Sequence, residues 1–87
     1  MAWNQDLIGS QVIDETAVAE ILKAIGAHDY KMGCRLQKWG WSAECDVIRQ
    51  DDRTLAFHGT RDSTLPEKFV AEAQRRGFQV LLGARCD

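Results

Sequence analysis

Tyr30-Lys31-Met32-Gly33-Cys34-Arg35-Leu36-Gln37, followed beyond Lys38-Trp39-Gly40 by Trp41-Ser42-Ala43-Glu44-Cys45-Asp46-Val47-Ile48, is the stretch on which the fold turns. Tyr30, Met32, Cys34 and Leu36 alternate with polar or small residues, and so do Trp41, Ala43, Cys45 and Val47. Successive side chains of a strand point to opposite sides, so each run predicts a half-buried strand. Pairing Leu36 with Trp41 through a loop at Gln37–Gly40 puts both apolar sets on one face and Lys31 opposite Asp46 on the other. A one-residue slip would bury the charges.

Downstream, Gln50-Asp51-Asp52-Arg53 reads as a turn, and Leu55 and Phe57 can share the face of Cys45 and Val47 in a third antiparallel strand. Upstream, Val18, Ile21, Leu22 and Ile25 recur at helical spacing with Glu15, Glu20 and Lys23 off that stripe, so an amphipathic helix is predicted. Asp14 suits its N-cap and Gly26 its left-handed exit. A second helix is predicted from Thr64-Leu65-Pro66-Glu67, read as a capping box with Thr64 as cap and Pro66 in the first turn. Leu65, Phe69, Val70 and Ala73 form its apolar stripe, and Gly77 closes it. Phe78–Leu82 reads as a fourth strand. The lead-in, residues 1–13, with its pairs Leu7-Ile8 and Val12-Ile13, fits either a short strand or an irregular segment.

The predicted fold class is therefore α+β, a two-layer sandwich of order α-β-β-β-α-β, with an antiparallel meander and both helices packed on one face. The other face is left to solvent or to a partner. A crossover after the second helix makes the last strand parallel to the third, beside either the first strand or the third. One domain spans residues 1–87, because no repeat, linker or low-complexity tract divides the chain.

Composition narrows the function classes. With 11 Lys plus Arg against 13 Asp plus Glu, the chain lacks the basic balance that gives nucleic-acid binders their affinity. Its apolar runs are too short to span a bilayer and its first residues do not form a secretory leader, so a cytoplasmic protein is expected. Three cysteines without a paired framework fit a reducing compartment. Cys34 and Cys45 stand eleven apart, unlike the close ligand pairs of structural zinc sites, and no cofactor or metal is implied.

Candidate chemistry is sparse. A thiol enzyme would join Cys34 or Cys45 to His58, with Asp29 or Asp62 orienting a histidine, yet both cysteines are predicted to face the core, where thiols are inert. Gly59–Thr64 precedes a helix and could offer amides and Arg61 to an anion, but it matches no phosphate-binding fingerprint. Weak nucleic-acid binding would use Lys31, Arg35, Arg49, Arg53 and Arg61. Trp3 reads as an anchor of the N-terminal segment into the core. Trp39 is the most unusual feature: at the predicted hairpin tip it joins Lys31, Arg35, Gln37 and Lys38 in one patch, and Trp and Arg are prominent among residues that dominate binding energy.

The helix, three strands and capped helix resemble the element order of a double-stranded RNA-binding domain, although Thr64-Leu65-Pro66-Glu67-Lys68 lacks that family's basic helix start. Gly40-Trp41-Ser42-Ala43 followed by Thr64-Leu65-Pro66-Glu67 resembles small phage or prophage accessory proteins built as α/β sandwiches. That resemblance implies a stand-alone protein, such as an anti-CRISPR-like inhibitor of host defence, acting by surface contact and carrying no catalytic residue. A protein partner is thus expected, through Trp39, Arg35, Lys38, Lys31 and Gln37. Nucleic acid and membrane are not expected, and a homodimer stays open.

Overall fold

The computed structural model describes residues 2–29, 38–41 and 45–86, with the backbone alone considered at 28–29, 38–41 and 49. Among the described residues, two helices and six strands follow in the order β1 (Trp3–Gly9), α1 (Glu15–Ala24), β2 (His28–Asp29), β3 (Lys38–Trp41), β4 (Cys45–Arg49), β5 (Thr54–Gly59), α2 (Leu65–Arg75) and β6 (Val80–Leu82). They form one sheet of order β2-β3-β4-β5-β1-β6 in which every neighbouring pair is antiparallel. The α+β class and the two-layer arrangement agree with the sequence reading.

Both helices arise as their patterns require. The Asp14 carboxylate accepts a hydrogen bond from the Ala17 amide at 2.8 Å, satisfying a donor that the first turn of α1 cannot pair internally. Gly26 and Gly77, just past the two helices, have φ of 81° and 91°, a conformation that side chains disfavour. The Thr64 capping box does not form. Thr64 makes no side-chain cap bond; Ser63 Oγ accepts instead from the Leu65 amide at 3.1 Å. The hydroxyl one residue earlier wins because Thr64 has near-helical backbone angles, whereas an N-cap usually needs an extended one.

The helices cover one face. Val18, Ile21 and Leu22 of α1 and Leu65, Phe69 and Ala73 of α2 meet Trp3, Leu7, Cys45, Val47, Leu55, Phe57 and Val80 of the sheet in a single buried core. Phe57 and Phe69 pack edge to face with ring centroids 5.7 Å apart. Arg76 Nη1 reaches Glu20 of α1 at 3.2 Å and ties the two helices together at the rim.

Three expectations need correction. The undecided lead-in is β1, an interior strand between β5 and β6, so the order is β-α-β-β-β-β-α-β. The last strand pairs with β1, antiparallel, rather than with any strand of the meander; it still runs in the direction of β5, as a crossover requires. The expected hairpin is also misplaced. Trp41 pairs with Asp46 and His28, not with Leu36, and Lys38–Trp41 is strand rather than loop. β3 ends at Trp41 and β4, antiparallel to it, begins at Cys45, so the period-two run from Trp41 to Val47 spans two strands. Gly40 was the misleading signal: inside a strand it marks a bulge as readily as a turn, and the β3–β4 register shifts between Lys38 and Gly40.

Candidate functional site

Because both helices lie on one side, the other side of the sheet is uncovered by any described element. Alternation assigns its residues: Asn4, Asp6 and Ile8 of β1, Thr54, Ala56 and His58 of β5, Asp46 and Ile48 of β4, and Leu81 of β6 turn away from the helices. Registry arranges them in transverse rows. One row runs Asp46–His58–Asn4, the next Ile48–Ala56–Asp6, and a third Thr54–Ile8–Leu81. In the backbone, the first row continues to Trp41 and His28 on one side and Cys86 on the other, so it crosses every described strand from β2 to β1 and reaches the segment after β6. Neighbouring strands lie about 5 Å apart, so adjacent members of a row are within side-chain reach.

The third row is apolar where it reaches the β6 edge: Ile8 is 54% and Leu81 78% exposed. Ala56 is fully buried although it faces this side.

Of the residues predicted to bind a partner, Lys38 and Trp39 lie in β3, and Lys31, Arg35 and Gln37 lie outside the described residues. Trp39 is not at a hairpin tip. Lys38 pairs with Ile48 and Gly40 with Val47, which leaves Trp39 as the extra residue of the bulge. The expected Lys31–Asp46 pairing is replaced by Trp41–Asp46.

The alternative chemistries fare as their geometry dictates. Cys45 is buried on the helix side, whereas His58 is exposed on the opposite side, so that thiol and imidazole are separated by the sheet. Cys34 lies outside the described residues. Among the described residues no three His, Cys, Asp or Glu side chains group as metal ligands. Arg53 precedes β5 and Arg61 follows it, so these two candidates for phosphate contact sit at opposite ends of a six-residue strand, roughly 20 Å apart. In the Gly59–Thr64 loop, the Leu65 amide is already taken by Ser63 and the Arg61 carbonyl accepts from Trp3 Nε1 at 2.7 Å. The hollow beside it mixes Asp62 and Glu67 with Lys68 and Arg85, a balance that favours neither an anion nor a cation.

Arg85 was missed by the sequence reading. Its guanidinium carbon lies 3.9 Å from the centre of the Trp3 ring, its Nη2 donates to the Ser63 carbonyl at 2.9 Å, and its Nε donates to Gln5 Oε1 at 3.3 Å. Gln5 Nε2 in turn donates to the Gly83 carbonyl at 2.7 Å, so this polar side chain, buried among apolar ones, uses both its ends. The group clasps the chain's last segment to β1, where Asn4 and Cys86 exchange backbone hydrogen bonds. A lone arginine in Gly83-Ala84-Arg85-Cys86 gives no local sign of this role.

No protein-family model, curated protein or solved structure matches the chain. Among the described residues, no helix is long and apolar enough to cross a membrane.

Proposed function

We propose that this protein is a small binding module that acts on a protein partner by surface contact, in the manner of an inhibitor or immunity-type protein of a phage or prophage. The observation that carries this reading is the sheet face that no described element covers, where Asp46, His58, Asn4, Asp6, Ile8 and Leu81 stand on a backbone held by a packed core. A partner surface needs a rigid platform bearing polar and apolar groups side by side, and this face supplies both. Acidic Asp6 and Asp46 on it favour a protein over nucleic acid. Trp39, Arg35, Lys38, Lys31 and Gln37, the contacts expected from the sequence, belong to the same proposal, Lys38 and Trp39 as residues of β3 and the other three outside the described residues.

The test is capture of partners from the native cell by the immobilised protein, with the isolated partner then titrated in purified form. His58→Ala with Asn4→Ala, and separately Trp39→Ala with Arg35→Ala, are expected to weaken binding at least tenfold while leaving the melting temperature unchanged. Unaltered affinity in both double variants would refute the assignment.

A further inference from the structure

The two sides of β6 differ in their hydrogen bonding. Ser10 donates to the Gln79 carbonyl and Gly83 donates to the Asp6 carbonyl, so Gln79, Leu81 and Gly83 direct their backbone groups toward β1. In an antiparallel ladder these positions alternate, so the amides and carbonyls of Val80 and Leu82 face away from β1, along the free edge. No described strand lies beyond β6.

Natural sheets blunt such edges with lysines, prolines or inward charges. This one has none. Residues 78–84 carry no charge and no proline, and the hollow along the edge, which includes Ile8, Gln74, Phe78, Gln79 and Leu81, is lined without a charged residue in a chain that is 28% charged. Among the described residues, the opposite edge strand, β2, comprises His28 and Asp29.

We propose that β6 is a self-association edge on which two copies of this chain pair antiparallel about a two-fold axis through Leu81. Val80 of each copy then exchanges both backbone bonds with Leu82 of the other, which uses every outward group of the strand. Gln79 falls opposite Gly83 of the second copy, so no like charges meet. Leu81 and Ile8, register neighbours on the uncovered face, join their symmetry equivalents in one apolar strip. The neutrality of the edge is what selects a second copy: it complements itself, whereas a charged partner strand would gain nothing from it. Three residues of pairing bury less than the roughly 1,200 Å² of a stable interface, so the dimer is weak and concentration-dependent.

Sedimentation velocity from about 10 μM to about 1 mM tests this, since the range brackets weak association. A monomer–dimer transition is expected in the wild type and none in Leu81→Lys, which places two like charges at the axis yet should melt as the wild type does. Amide exchange followed by NMR supplies the second reading. The Val80 and Leu82 amides should slow as concentration rises, while the Leu81 amide, already turned to β1, should not respond. A wild type that stays monomeric throughout, a dimer indifferent to Leu81→Lys, or Val80 and Leu82 amides equally protected at all concentrations would each overturn the proposal.

Discussion

Trp3, Gln5, Leu7 and Gly9 of β1 turn toward the helices, while Asn4, Asp6 and Ile8 of the same strand turn away, and the two sets obey different rules. On the covered side each position is over-determined: Leu7 is wholly buried, Gln5 is bonded at both ends, and Trp3 is held by Arg85 above its ring and the Arg61 carbonyl at its nitrogen. On the other side Asn4, Asp6 and Ile8 are exposed and no described helix covers them. The difference teaches where sequence changes should register as stability and where they should register as recognition.

Substitutions can break or sharpen that contrast. The largest effect is expected beneath the helices, where Phe57→Ala removes a fully buried ring from its contact with Phe69 and should cost about 3–5 kcal/mol in chemical denaturation, enough to unfold much of the population. Gly9→Ala should follow, at about 1–3 kcal/mol, because the new Cβ would sit 2.9 Å from the Gln11 carbonyl oxygen and 3.1 Å from Ile13 Cδ1, so that backbone must shift to admit it. Arg85→Ala should cost about 1–2 kcal/mol through the lost ring contact and the stranded Gln5 oxygen, with fraying of the 83–86 segment visible in amide exchange. His58→Ala on the opposite side should change stability by less than about 0.5 kcal/mol. A His58→Ala cost as large as that of Phe57→Ala would erase the distinction between the faces.

The smallest effect concerns acid. The hydrogen bond from Arg75, followed by that from Arg76, holds the Glu72 carboxyl down to about 2 from its ordinary 4.5. A depressed carboxylate contributes stability that is complete above its unfolded value and is lost as pH falls through its folded one. The wild type should therefore lose a little stability between about pH 4.5 and pH 2 that Glu72→Gln does not lose, and thermal melts at stepped pH would show it. Glu72 titrates at the surface, so the change should be slight.

Legibility followed the physics of each element. The helices and their apolar stripes could be read because Val18, Ile21 and Leu22, and Leu65, Phe69 and Ala73, obey one period throughout. β1 could not be read, because its core-facing set includes the polar Gln5 and the side-chain-free Gly9, while the apolar Ile8 points outward. The β3–β4 pairing was misplaced because Gly40, which reads as a turn residue, lies inside β3, and the unbroken period-two run from Trp41 to Val47 hides the change of strand. The uncovered face was legible as a consequence of packing both helices on one side. Its rows were not, since they depend on pairings between β1, β5 and β6 that are remote in sequence.

The placement of β1 also bears on how the chain is made. β1 leaves the ribosome well before the two strands it borders, so Ile8 must wait for Thr54 and then for Leu81 before its ladder is complete. At ordinary rates of synthesis the first wait alone lasts roughly 2–10 seconds. Throughout that interval the nascent strand has both flanks bare, and a cell short of holding chaperones should yield less of this protein than one well supplied.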